Sequence, residues 1–186
     1  AVDSLPITLS IVGMTAIIIS MQTAGELAKQ GAGSYVGTLT ALVMVRELSA
    51  VMSGFAIISM IGSSFASEIA TMRVTEQIDA LRVMATNPVG YLVVPRTIAC
   101  MIMVPLLTVF GDIIGVLGGW LIAVNYSGIT TFLYFNSINT FVATHDMSGG
   151  LVKAIVFGII IAIMGCYYGL RAPDGAEGVG RATTRS

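Results

Sequence analysis

Four long apolar runs most strongly constrain the fold of this chain. Of its 186 residues, 55% are hydrophobic and only 10% are charged, whereas soluble domains carry about 25% charged residues. Each run is long enough for a helix to cross a hydrocarbon core of about 30 Å. We therefore predict an all-α polytopic membrane protein that forms a single transmembrane domain over residues 1–186. Its predicted spans are residues 5–24, 35–61, 97–124 and 151–170.

A polar stretch, residues 63–96, separates the second span from the third. It contains two sets of apolar residues with i, i+4, i+7 spacing, which marks one face of a helix. The two sets are out of phase, so we predict two short amphipathic helices with a bend near residues 73–75. The first set is Phe65, Ile69 and Met72, and the second is Val74, Ile78 and Leu81.

The boundaries of the second amphipathic helix can also be predicted. Thr75 suits its N-cap, and Arg82 suits its last turn, near the negative end of the helix dipole. Asn87-Pro88 is expected to end it, because a residue before proline avoids the helical conformation.

The arrangement of lysines and arginines predicts the orientation in the membrane. The segment 62–96 and the tail 171–186 carry six arginines, against two lysines on the opposite side. Both are therefore expected in the cytoplasm, and the Gly-rich tail is expected to be an aqueous loop. Residues 129–144 are too polar for a span and predict an interfacial or re-entrant helix.

Charged residues inside the spans are the main candidates for function. Arg46 and Glu47 lie well inside the second span, where a charge is costly and usually faces a partner, a cavity or a ligand. Neighbouring helix residues point about 100° apart, so each must find its partner elsewhere. A structural ion-pair network and a binding site for the headgroup of an amphiphile remain open. Asp112, in the third span, is interpreted as a buried structural acid, with a proton relay as the less favoured alternative.

Several kinds of catalysis are excluded. The chain has no nucleotide-binding G-x-x-x-x-G-K-[ST] motif, no H-E-x-x-H and no G-x-S-x-G. His145 is the one histidine and is expected in a polar loop, while Cys100 and Cys166 lie in apolar runs without ligand spacing. We expect no catalytic residue, no metal, no cofactor and no nucleic-acid partner.

The motifs of the chain resemble those of the MlaE (YrbE-like) permease family of ABC lipid transporters. The resemblance covers nearly the whole chain, although Ser49-Ala50 stands where the family usually has Gly-Pro. The matching residues are Val45-Arg46-Glu47-Leu48, the run Ala66–Leu81, Asn87-Pro88, Val94-Pro95-Arg96, the glycines of 111–119 and the closing Arg181-Ala-Thr-Thr-Arg185.

This resemblance implies a function. The chain would be the permease subunit that moves phospholipids between the bacterial inner membrane and a periplasmic path of MCE-domain proteins to the outer membrane, maintaining lipid asymmetry. ATP would be hydrolysed by a separate subunit. Family members are longer at both ends, so a fifth span is expected after Arg185.

The resemblance also implies partners and site residues. Two permease copies would form a homodimer, with an ATPase dimer in the cytoplasm, a hexameric MCE-domain protein outside and a STAS-domain accessory subunit. Arg46 and Glu47 match positions near the bound lipid. The residues expected to couple to the ATPase are Glu68, Ile69, Met72, Arg73, Glu76, Gln77, Ile78 and Leu81.

Two other functions remain open from the residues alone. An ion-driven secondary transporter or channel would need an inverted repeat and more intramembrane titratable groups than Arg46, Glu47 and Asp112. A non-transporting membrane scaffold would explain the polar stretch but not the deep charges at Arg46 and Glu47.

Overall fold

The computed structural model describes residues 4–173 and 175–186, and this part of the chain contains helices but no β-strand. Four of the helices, α1, α2, α4 and α6, are long and apolar enough to cross a membrane. The prediction of an all-α polytopic membrane protein with about four spans is therefore confirmed. The helices are α1 (Leu5–Lys29), α2 (Gly33–Val74), α3 (Gln77–Val83), α4 (Pro88–Ser127), α5 (Thr131–Phe141), α6 (Thr144–Leu170) and α7 (Ala176–Arg185).

Helix α2 continues well beyond the predicted end of the second span. It contains two π-helical segments, Met44–Leu48 and Ile58–Gly62, and then runs on through the first third of the polar stretch, as far as Val74. Polar residues are tolerated there because their hydroxyls bond to backbone carbonyls about one turn earlier. For example, Thr71 donates to the carbonyl of Ser67 at 2.8 Å. The first predicted amphipathic helix is thus the end of the second span.

The Asn87-Pro88 pair begins a helix instead of ending one. Helix α3 already ends at Val83, and Ala85 follows with a left-handed φ of 58°. Asn87 accepts a hydrogen bond from the backbone N–H of Val89 at 3.0 Å, which caps the start of α4, and Pro88 occupies the first helical position. The prediction that this pair ends the amphipathic helix was wrong.

The tail is also helical, contrary to the prediction of an aqueous loop. Helix α7 presents Val179 and Ala182, which pack with Ala70 of α2 and Ala172. Residues three apart lie on the same face of a helix, so this small apolar face is buried while the charged side chains of α7 stay exposed. Tertiary packing therefore compensates for the low helix propensity of the two glycines in α7.

The chain divides into two compact units. The first comprises residues up to Ser53 together with Pro105–Ala154, and the second comprises Gly54–Val104 and Ile155–Ser186. In the first unit, Val12 and Ala16 of α1 pack against Met44 of α2. The second unit has its own core, in which residues of α2, α3, α4 and α6 meet. Its buried members are Ile69, Ile78, Leu92 and Cys166.

Helix α5 lies where an interfacial or re-entrant helix was predicted, and the prediction of a helix is confirmed. Tyr134 is fully buried and donates its hydroxyl to the carbonyl of Val116 at 3.1 Å. Thr38 of α2 donates to the carbonyl of Ser137 at 3.0 Å. Helix α5 is thereby anchored within the first unit.

Candidate functional site

The two deep charges of the second span lie in a π-helical segment. Arg46 and Glu47 belong to Met44–Leu48, where the backbone hydrogen bonds join residues five apart. Such segments are rare and are frequently found at functional sites. The segment is therefore a second structural indication, beyond the charges themselves, that this part of α2 carries function.

Both charges find a partner on helix α6. The Arg46 Nε atom lies 3.4 Å from Asp146 Oδ1, and Lys153 Nζ lies 2.5 Å from Glu47 Oε1. Lys153 also donates to the backbone carbonyl of Arg46 at 3.1 Å. We call Arg46, Glu47, Asp146 and Lys153 the charged cluster. It contains two positive and two negative charges, and it confirms that neither Arg46 nor Glu47 pairs with its neighbour.

The start of α6 differs from the sequence prediction. Thr144-His145-Asp146 was predicted to be a polar loop, but these residues form the first turn of the helix. Asp146 is well placed there, since a carboxylate is stabilised by the positive end of a helix. Its Oδ2 atom accepts a hydrogen bond from the N–H of Ala143 at 3.1 Å, and His145 is exposed.

A glycine allows the two helices of the cluster to approach each other. A Cβ atom on Gly150 would lie 2.3 Å from the carbonyl oxygen of Val45, much closer than atoms can pack. The adjacent Gly149 has open space around its Cβ position. Gly150 therefore permits the close contact between α6 and the π-helical segment that places Lys153 beside Glu47.

The charged cluster borders a small cavity of about 110 Å³. The side chain of Arg46 is 59% exposed and that of Asp146 is 16% exposed, so the guanidinium remains accessible while its partner is mostly covered. Arginine binds phosphate and carboxylate groups with two parallel hydrogen bonds. The cavity is lined by Arg46, Glu47, His145, Asp146, Gly149, Gly150 and Lys153.

Asp112 lies apart from the charged cluster. It is 8% exposed in α4, and its Oδ1 atom has no hydrogen-bond partner among the described residues. The same is true of the hydroxyls of Ser49 and Ser53 on α2. The interpretation of Asp112 as a buried acid agrees with this burial.

We call residues 63–96 the polar hairpin. Its bend lies at Thr75 and Glu76, close to the predicted position, but the capping differs. Thr75 ends α2 and donates to the carbonyl of Thr71 at 2.8 Å, while Glu76 precedes α3 in a left-handed conformation with φ of 60°. The prediction of Thr75 as the N-cap was wrong, and Arg82 does lie in the last turn of α3.

The apolar residues predicted to face the ATPase are largely covered by the chain itself. Ile69 is 0% exposed and Ile78 is 4% exposed. Met72 and Leu81 are half-buried against the same core. These four residues therefore hold α2 and α3 together with α4 and α6 within the second unit.

The polar residues of the polar hairpin differ in their contacts. Glu68 forms an ion pair with Arg96 at 2.9 Å, and Arg73 donates to the carbonyl of Leu170 at the end of α6. Glu76 and the uncharged Gln77 are also exposed, and Glu76 forms no ion pair with another described residue. The other end of α3 presents an apolar pair that was not predicted, Val83 at 87% and Met84 at 66% exposure.

One signal in the sequence could have identified the partners of the deep charges. Asp146 and Lys153 are seven residues apart, so they share one face of a helix. The acid precedes the base on this face, whereas the base Arg46 precedes the acid Glu47 on α2, so each charge can pair with one of opposite sign. Assigning Asp146 to a loop concealed this match.

These features define a class of protein, a multi-pass α-helical membrane protein with an ion-paired cluster inside its spans. Comparison with known sequences narrows the class. The family described as Permease MlaE matches residues 1–186, and the chain belongs to this family. It is accordingly an ABC transporter permease, a subunit that works with an ATPase.

Individual relatives agree with this assignment. A probable ABC transporter permease protein of Synechocystis sp. is 42% identical over 182 residues, which cover 98% of this chain and 69% of the relative. A probable ABC transporter permease protein of Rickettsia felis is 42% identical over 97% of this chain and 70% of its own length. A probable ABC transporter permease protein of Porphyra purpurea is 38% identical over 98% of this chain and 70% of its own length.

Proposed function

We propose that this chain is the permease subunit that moves phospholipids between the bacterial inner membrane and a periplasmic path of MCE-domain proteins leading to the outer membrane, so maintaining lipid asymmetry. The observation that supports this most is the charged cluster, with its two ion pairs beside a cavity at a π-helical segment. A charge in the middle of a span costs about 2.5–3.5 kcal/mol, so charged residues inside spans usually have a function. Binding the headgroup of a lipid is a function that needs charged side chains.

In this proposal, Arg46 and Glu47 contact the lipid headgroup. Arg46 binds the phosphate with the part of its guanidinium that faces the cavity, while Asp146 holds its Nε side. Glu47 and Lys153 provide a second pair of opposite charges next to it. A cluster with equal numbers of positive and negative charges suits a lipid whose headgroup carries both a phosphate and an amine.

The polar hairpin is proposed as the surface that receives the ATPase. Exposure and contacts within the chain separate its residues by role: Glu76 and Gln77 are exposed for direct contact, together with Val83 and Met84. The remaining candidates pass the movement on, because they tie the hairpin to the rest of the second unit. They are Glu68, Ile69, Met72, Arg73, Ile78 and Leu81.

Coupling would proceed through helix α2. This continuous helix contains Arg46 and Glu47 of the charged cluster and also the first part of the polar hairpin, up to Val74. Closure of the ATPases on the polar hairpin would shift α2 and change the ion pairs of the charged cluster. The lipid would then bind one conformation better than the other, as any coupled transport requires. A homodimer, an MCE-domain hexamer and a STAS-domain subunit would complete the assembly.

A transport assay tests this proposal. Full-length permease with its ATPase is reconstituted in vesicles that contain a fluorescent phospholipid, and ATP-dependent lipid movement is measured. We expect Arg46→Gln to slow movement at least about tenfold, whereas the exposed Lys29→Gln at the end of α1 leaves it unchanged. Movement driven by an ion gradient without ATP would instead identify a secondary transporter, and no lipid movement under either condition would favour a scaffold.

A further inference from the structure

A second cavity, separate from the charged cluster, lies in the second unit where α6 ends and α7 packs beside it. It has a volume of about 340 Å³. Three of its lining residues are arginines, and none of those among residues 4–173 and 175–186 is acidic. The cavity is lined by Tyr167, Tyr168, Arg171, Ala172, Pro173, Arg181, Ala182 and Arg185.

The fold holds the arginines of this cavity in place. Arg181 and Arg185 are four residues apart on α7, so they lie on the same face of that helix. The buried Ala182 between them packs with Ala70 and Ala172, which fixes α7 against α2. Arg171 is the first residue after the spanning helix α6, and its guanidinium lies 4.7 Å from the centroid of the Tyr167 ring.

The charges of these arginines are only partly compensated. Arg181 pairs with Glu177 at 2.8 Å. Among residues 4–173 and 175–186, no carboxylate forms an ion pair with Arg171 or Arg185. Stacking on a tyrosine leaves the edge of a guanidinium free to donate hydrogen bonds. The cavity therefore offers several donors and excess positive charge to an anion.

The position of the cavity favours a lipid over a soluble anion. It adjoins the last turn of a helix that is long and apolar enough to cross a membrane, and tyrosines at that level are typical of the membrane–water interface. Basic pockets between spanning helices at this level bind the headgroups of anionic lipids. We propose that this cavity binds the phosphate group of an anionic membrane lipid, such as phosphatidylglycerol, at a site distinct from the charged cluster.

Photocrosslinking locates such a lipid directly. Full-length protein in detergent is incubated with phosphatidylglycerol that carries a diazirine near its headgroup, and the labelled peptides are identified by mass spectrometry. We expect label on residues 167–185. The double variant R171Q/R185Q should reduce this label at least about tenfold, because each arginine near a membrane surface strengthens the binding of an anionic lipid.

Two further variants control for charge and for folding. R171K/R185K keeps both charges and should retain most of the label, and K29Q/R82Q removes two charges elsewhere and should leave it unchanged. Label that is equal in R171Q/R185Q and in the unaltered protein would overturn the proposal. So would complete displacement of the label by millimolar inorganic phosphate, since that result would identify a site for a soluble anion.

Discussion

The charged cluster and the polar hairpin differ in how completely their polar side chains are paired. In the charged cluster, every charged side chain is paired across two helices, and these pairs lie in segments that can cross a membrane. In the polar hairpin, Glu68 is paired internally, whereas Glu76 and Gln77 face outward. This difference underlies the proposal that the cluster binds a small ligand and that the hairpin receives a second protein.

The largest expected effect tests the buried side of the polar hairpin. Replacing the fully buried Ile69 with alanine leaves a cavity in the core of the second unit, and such changes cost about 2–5 kcal/mol. The matched control is Val83→Ala on the exposed end of α3, where the expected change is within about 0.5 kcal/mol. Thermal or denaturant unfolding of the full-length protein in detergent measures both. Equal effects would show that Ile69 is not a core residue.

The next effect tests the contact that brings the charged cluster together. Gly150→Ala places a Cβ against the carbonyl of Val45 and should lower stability by about 1–3 kcal/mol. Gly149→Ala should have the opposite sign and raise stability by up to about 1 kcal/mol, because alanine favours a helix and the site is open. Unfolding measurements distinguish the two signs. A stable Gly150→Ala protein would contradict the close approach of α2 and α6.

A smaller effect tests the ion pairs themselves. Glu47 and Lys153 are about half exposed, so their coupling in a double-mutant cycle of Glu47→Gln and Lys153→Gln should be about 0.5–1 kcal/mol. The charge-swapped variant Glu47→Lys with Lys153→Glu should recover most of the stability that either single reversal loses. Additive effects in the cycle would mean that the two residues do not interact.

The features that follow from local pattern could be predicted from the sequence, and those that depend on tertiary contacts could not. Hydrophobic runs identified the four spans, and the phase shift between Met72 and Val74 identified the bend of the polar hairpin. The partners of Arg46 and Glu47 lie about a hundred residues away, and 106 residues separate Glu47 from Lys153. No local pattern marks the π-helical segment, because its extra residue changes hydrogen bonding without changing composition.

The amphipathic faces of the polar hairpin illustrate the same limit. The i, i+4, i+7 spacings that include Ile69 and Ile78 correctly marked two apolar faces. The spacing of a face, however, does not specify which residues cover it. In the structure, residues of α4 and α6 cover them. Helix α7 was missed for a related reason. It is stabilised by the packing of Ala182 against Ala70 and Ala172, and this contact cannot be seen in the local sequence.

The smallest effect on stability should accompany a large effect on assembly. Glu76→Lys combined with Gln77→Ala changes two exposed side chains and should alter the free energy of unfolding by no more than about 0.5 kcal/mol. If the exposed side of the polar hairpin receives the ATPase, the same variant should reduce copurification of the ATPase at least about tenfold. Unchanged copurification would exclude Glu76 and Gln77 from the contact.

Lipid occupancy of the charged cluster tests the central claim most directly. Native mass spectrometry of the full-length permease, purified gently with its ATPase, counts the phospholipids that each complex retains. To remove the second proposed lipid site, the comparison is made in R171Q/R185Q. We predict that this protein retains phospholipid with or without Lys29→Gln, and that adding Arg46→Gln lowers the retained phospholipid at least about tenfold while the complex stays assembled. Equal phospholipid retention in Arg46→Gln would contradict the assignment of the charged cluster as the headgroup site.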